Sequence, residues 1–253
     1  MLTMPTRRTV LIGIATMPLA AAASAAFGQT VSGDTLATSA GDVIIHPVAH
    51  ASLALLSGAH VIYADPAKED FSALPAPTGI LITHAHGDHF DPDALLKLAG
   101  KAPIVTTEEV MGKMPDALKA QTTVLKNGES GMIDGLPVMA VAAYNTSPDR
   151  AKYHPQGVGN GYVVSFGDKK IYVAGDTEDT PEMKALTGID VAFLPMNLPY
   201  TMTEEQAAGA VKAFKPKVVY PYHYRGSDTQ KFKDLVGDAA EVRLVDWYAN
   251  AAK

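Results

Sequence analysis

The chain of 253 residues has no cysteine and a single tryptophan. Without thiols there is no disulfide framework, no thiolate nucleophile and no cysteine-based metal site. Basic runs are missing as well: Lys and Arg number 21 against 27 Asp and Glu, for a net charge of -6. An acidic chain with no Lys/Arg cluster is not expected to hold nucleic acid. Beyond residue 30 no apolar stretch is long enough to span a bilayer.

What is present begins with an N-terminal segment of distinctive composition. Arg7 and Arg8 precede an apolar stretch from Val10 to Ala26, and Ala23-Ser24-Ala25 offers a small-residue cleavage site. Residues 1–28 are therefore expected to be a signal peptide, too short and wrongly flanked for a lasting membrane helix. Thr6 to Leu11 resembles a twin-arginine export signal, which is read by a transporter of folded proteins. The expected location is periplasmic or secreted, with no stable anchor after cleavage. Removing Arg7 and Arg8 takes the net charge from -6 to -8. Residues 29–253 are expected to form one domain, enough chain for a sizeable core. No linker and no repeat of fixed period interrupts it.

Periodicity places strands over Asp42 to Pro47 and over Ser52 to Asp65, the latter a hairpin turning at Ser57-Gly58. Gly79 to Thr83 and Pro103 to Thr106 read as further strands, with helices opening at Asp91-Pro92-Asp93 and over Glu108 to Met114. A β-rich stretch follows from Met132 to Tyr144, then Gly161 to Phe166 paired with Lys170 to Ala174. Val191 to Pro195, Val218 to Tyr220 and Val242 to Val245 complete the strands. Helices are expected from Thr203 to Phe214 and from Thr229 to Val236. Strands and helices alternate in both halves, which suits helices packed outside two central sheets.

The chemistry concentrates in Thr83-His84-Ala85-His86-Gly87-Asp88-His89-Phe90. Three of the eight histidines and one carboxylate fall within six positions, directly after the apolar run Gly79 to Ile82. On an extended backbone His84 and His86 point the same way and can grip one ion. Gly87, free to take a φ other residues avoid, would turn Asp88 and His89 toward a second ion. Imidazole and carboxylate suit zinc and similar borderline metals. Histidines can cluster in solvated loops, but this cluster is not repetitive and lies at a strand end, where function gathers.

Further candidates lie downstream. Asp176, after Gly175 at the end of an apolar strand, is placed to bridge two cations, and His223 closes another apolar strand. His154, in the loop from Asn145 to Gly159, could complete the first site. His50 stands before the hairpin, in reach of the centre as a substrate contact or proton donor. His46 and His60 read as structural or surface residues, and Trp247 as packing.

His84-x-His86-x-Asp88-His89 followed by His154, Asp176 and His223 resembles the metallo-β-lactamase superfamily. Ala49-His50-Ala51-Ser52, Ile62 to Pro66, Ala174 to Thr177, Leu194 to Asn197 and Tyr220 to His223 resemble its L-ascorbate-6-phosphate lactonase-like branch. The resemblance implies an α/β fold, a four-layer αβ/βα sandwich with two central mixed sheets flanked by helices. It implies two divalent metal ions, zinc first, with Mn2+ or Fe2+ as alternatives. His84, His86 and His154 would hold one ion, Asp88, His89 and His223 the other, and Asp176 would bridge them. Relatives often carry their third histidine where this chain has Tyr144-Asn145, which makes Asn145 the rival to His154. The Gly-His-Thr-type segment of true β-lactamases is missing, which moves the expectation away from antibiotics.

The resemblance thus implies a hydrolase in which a metal-bridging hydroxide attacks an ester, lactone or phosphodiester of a small-molecule substrate. Asp88 would orient the nucleophile and His50 could protonate the leaving group. The rival readings are an iron-dependent oxidoreductase on the same ligands and a non-catalytic periplasmic binding protein. Substrate identity and oligomeric state carry no signal in the sequence.

Overall fold

The computed structural model describes residues 31–249; the segment read as a signal peptide lies outside them. The first sheet holds seven strands in sequence order: β1 (Asp34–Leu36), β2 (Val43–Ala49), β3 (Ser52–Ser57), β4 (His60–Ala64), β5 (Gly79–Leu81), β6 (Ile104–Thr106) and β7 (Thr122–Val124). β1 to β4 run antiparallel and β4 to β7 parallel. The second sheet holds β8 (Ser130–Ile133), β9 (Leu136–Ala143), β10 (Gly159–Phe166), β11 (Lys169–Val173), β12 (Val191–Pro195), β13 (Val218–Tyr222) and β14 (Glu241–Val242). It repeats the scheme, antiparallel through β11 and parallel from there to its edge. No fixed period in the sequence announces this repetition, because the loops of the two halves differ in length.

Helices α1 (Pro92–Leu98), α2 (Glu108–Lys113) and α3 (Asp116–Lys119) join the parallel strands of the first sheet. Helices α4 (Pro181–Lys184), α5 (Glu204–Phe214) and α6 (Thr229–Val236) do the same in the second. Every start but that of α3 is capped by a side chain. Asp91 accepts from the backbone N–H groups of Asp93 and Ala94, and Thr203 with Gln206 forms a reciprocal capping box, satisfying amides that no helical carbonyl reaches.

Three apolar layers give the four-layer sandwich. Between the sheets lie Ile45, Leu53, Ile62, Val138, Tyr162, Phe193 and Trp247. Tyr63, Ile80, Leu95, Val110 and Leu118 pack the first sheet against its helices. Tyr172, Met183, Val211, Phe214 and Phe232 do so for the second. Strands buried on both faces are continuously apolar, as parallel strands under helices must be. Among the described residues no helix is long and apolar enough to cross a membrane.

Two local expectations change. The last strand is Glu241–Val242, not Val242 to Val245. Beyond it the Tyr224 hydroxyl donates to the Val245 carbonyl and accepts from the Trp247 N–H, at 3.1 and 3.3 Å, drawing the chain off the sheet edge. Gly87 is not among the residues of positive φ. The turn is closed by the N–H groups of His89 and Phe90 bonding to the His86 carbonyl at 3.0 and 2.8 Å. β1, α3, β7 and α4, three or four residues each, are too short for a period to register.

Candidate metal centre

The site lies where strand ends of both sheets face one another. His84 to His89 follow β5, Asp176 follows β11, His223 follows β13, and His154 comes from the loop between β9 and β10. The halves are joined there by a backbone bond, the Asn160 N–H donating to the Thr83 carbonyl at 3.0 Å. Gly175 has φ +66, and a Cβ on it would come within 2.9 Å of both the Asn160 carbonyl oxygen and the Thr83 side chain. Only glycine fits that crossing.

Three groups of potential ligand atoms converge: His84, His86 and His154; His84, His89 and Asp176; and His50, Asp88 and His223. His84 Nε2 lies 3.0 Å from His86 Nδ1. Asp176 divides its carboxylate: Oδ2 is 3.3 Å from His154 Nε2, while Oδ1 is 3.4 Å from His89 Nε2 and 3.5 Å from His223 Nε2. Asp88, half exposed, puts Oδ2 at 3.1 Å from His50 Nε2 and 3.4 Å from His223 Nε2.

The outer ring nitrogens are held from behind. His89 Nδ1 pairs with Asp65 Oδ2 at 2.7 Å, and both side chains are fully buried. Asp65 also accepts from the N–H and hydroxyl of Thr83, each at 2.7 Å. With its hydrogen committed to Asp65, the Thr83 hydroxyl accepts from His84 Nδ1 at 3.0 Å. His154 Nδ1 meets the Tyr200 carbonyl at 3.1 Å, and His223 Nδ1 the Asn197 amide at 3.2 Å. Carbonyls and carboxylates only accept, so the outer nitrogens of His89 and His154 must carry the hydrogen, and in the neutral ring Nε2 is the bare nitrogen facing the centre.

Charge follows from this packing. Burial opposes a charged His89, yet the Asp176 and Asp65 carboxylates hold its pKa well above the usual imidazole value. Burial would raise Asp176, but His223 and His89 hold it well below the carboxylate range. Asp88 is likewise lowered: burial pushes up, while contacts from His223 and His50 prevail. Burial and the neighbouring His89 push His84 well below its ordinary value, and burial with His154 lowers His86.

A divalent cation fits this set. His89 Nε2, His154 Nε2, His223 Nε2 and Asp176 Oδ1 are buried without a hydrogen-bond partner. Such atoms are costly to leave unsatisfied, and four of them facing one space are what a cation resolves.

Every ligand anticipated from sequence thus comes to one place. Asn145 is held by its Nδ2, which donates to the Tyr200 and Arg150 carbonyls at 2.7 and 3.1 Å, while its Oδ1 is buried without a partner. His46 and His60 sit elsewhere, His46 on the Ser32 carbonyl at 2.5 Å and His60 on Asp134 at 2.8 Å. Sequence reasoning missed the supporting groups Asp65, Asn197 and Glu178. Glu178, with a fully buried side chain, pairs with Arg150 at 2.7 Å. It also accepts from Thr146 N, Thr146 Oγ1 and Ser147 N, and so pins the loop that carries His154. Asp65 had a signal, an apolar strand ending in a carboxylate before Pro66, but a turn is written the same way.

A family model, the beta-lactamase superfamily domain, matches residues 45–223. A UPF0173 metal-dependent hydrolase of Pyrococcus abyssi is 39% identical over 175 residues, 64% of this chain and 76% of that protein. A crystal structure of a Parabacteroides distasonis protein assigned to the metal-dependent hydrolases is 42% identical, with a TM-score of 0.77 over 84% of this chain and 97% of that one. Igni18, a metallo hydrolase of Ignicoccus hospitalis, is 25% identical with a TM-score of 0.66, over 81% and 95%. The chain belongs to the metallo-β-lactamase superfamily and, within it, to the UPF0173 metal-dependent hydrolases.

Proposed function

We propose that the chain hydrolyses an ester, lactone or phosphodiester at a centre of two divalent ions, zinc first with Mn2+ or Fe2+ as alternatives. His84, His86 and His154 would hold one ion, Asp88, His89 and His223 the other, and Asp176 would bridge. The observation that carries this reading is the division of Asp176: one oxygen faces His154 and the other faces His89 and His223. Bound there, the ions would supply Lewis acidity, lowering the pKa of water toward about 7 and polarising the scissile group.

The chain's own residues supply the rest. Asp88, anchored by His50, orients the nucleophile from the exposed side of the site. The His50 N–H stands beside it as the proton donor for the leaving group. A cleft of about 500 Å³ opens on the His84, His86 and His154 side, with Lys152, Tyr153 and Glu108 at its wall. It is of a size for a small molecule. The lactonase-like segments support lactones among the three bond types. The twin-arginine-like segment supports export to the periplasm or beyond.

Metal-loaded protein should hydrolyse a member of a lactone, phosphodiester and β-lactam panel outside the β-lactams, and lose that activity on chelation. Native protein holding iron, consuming oxygen and hydrolysing nothing would overturn the hydrolase in favour of redox chemistry. Loaded protein inert in both assays would leave a binding protein.

A further inference from the structure

His50 belongs to a group geometrically able to hold an ion, with Asp88 and His223, so its role turns on where its proton sits. Its Nε2 is 3.1 Å from Asp88 Oδ2 in hydrogen-bond geometry, and a carboxylate only accepts. Whether the ring is neutral or cationic, Nε2 therefore carries a hydrogen. The opposite edge explains how the neutral ring keeps it there. His50 Nδ1 is 3.0 Å from the Tyr248 hydroxyl, which itself accepts the Arg225 backbone N–H at 3.1 Å. With that acceptor role filled, the phenol hydrogen is free to go to Nδ1.

The contrast with the neighbouring histidines is chemical. His89 and His154 have acceptor-only partners behind them, a carboxylate and a backbone carbonyl, so their neutral rings turn bare nitrogens inward. Unlike those two, His50 has a phenol behind it, and a phenol can donate; His223 faces the Asn197 side-chain amide, which donates or accepts according to its flip. The C-terminal segment holds this arrangement at the backbone too. The His50 N–H bonds to the Trp247 carbonyl at 3.2 Å, and the His223 N–H to the His50 carbonyl at 3.0 Å. His50 and His223 both have left-handed backbones, φ 51 and 47, a strained state that needs such ties.

We propose that Tyr248 is a positioning residue: by donating its hydroxyl to His50 Nδ1 it keeps the imidazole proton on Nε2 facing Asp88, so His50 serves the centre as a hydrogen-bond donor and not as a metal ligand. The ligand count rests on the two-ion reading above; the tautomer stands without it. Burial pushes the Tyr248 phenol up to about 12, so the proton it donates stays in place at neutral pH.

Two-bond 1H–15N correlation spectra of the metal-free full chain read the tautomer directly. Wild type should show His50 protonated at Nε2 and unprotonated at Nδ1. Tyr248→Phe should move the Nδ1 signal toward the protonated position. A bare Nε2 in wild type, or an unchanged His50 pattern in Tyr248→Phe, would overturn the proposal. Metal stoichiometry supplies the second arm, with Zn2+ as probe. His50→Ala should bind as many ions as wild type, whereas His223→Ala should bind fewer. An equal loss in both variants would make His50 a ligand and overturn the proposal. A wild type that binds no metal would sink the two-ion reading while leaving the tautomer measurement intact.

Discussion

The two halves share one strand scheme and use it differently. In each, four antiparallel strands lead into three more that run parallel to the edge. The carboxylates after β4 and β11 are equivalent: Asp65 is wholly buried behind His89, while Asp176 stands at the centre between two histidine groups. The links after β2 and β9 are equivalent as well, a tight turn bearing His50 and the longer loop bearing His154. β5 ends in four candidate ligands, and its counterpart β12 ends in Asn197, which backs His223. One half concentrates its donors in a single turn and supports them with its own sheet. The other contributes one donor per strand end and must brace each separately. Equivalent positions thus carry a candidate ligand in one half and a supporting group in the other.

Breaking the concentrated half should have the largest effect. His84→Ala with His86→Ala should abolish both bound metal and activity, as metal analysis and hydrolysis assays will read; full activity in a metal-free double variant would refute the site. His154→Ala alone, taken from the distributed half, should keep the second ion. Next comes Asp65→Ala, which strips the buried His89 and Thr83 N–H of their acceptor. The loss should be about 3–5 kcal/mol in denaturant unfolding, and a loss below about 1 kcal/mol would remove Asp65 from its supporting role. The smallest effect belongs to Glu178→Gln. It weakens one brace of the His154 loop at a cost of about 1–3 kcal/mol. Hydrogen exchange should rise over residues 146–154 and stay unchanged over 84–89; a rise in both would mean the halves are not braced separately.

The same contrast explains what could be read in advance. The donors after β5 are contiguous, so spacing on an extended backbone was enough to bring His84 and His86 together. Asp176 and His223 were legible because each ends an apolar strand. His154 lies in a long irregular loop, where it could be offered as completing the first site but not set above Asn145. Nothing local distinguishes Asp65 from a turn aspartate, or Glu178 from a solvated one; both are assigned by what packs on them. Tyr248 is further still, 198 residues from His50, and no periodicity links them. The layer architecture was legible because both parallel runs are apolar throughout, whereas the doubled topology was hidden by unequal loops.

The bond from Asn160 to Thr83, closed over Gly175, has a consequence for the order of events in folding. Donors from β5 and from β11 to β13 meet only after two sheets, built from separate stretches of chain, have docked across that seam. Contacts so distant along the chain are slow to form. A first half folding alone would display the histidine turn without the partners that complete it, so stable capture of an ion should come late. The moment the protein gains its metal would then be a clock for the docking of its halves.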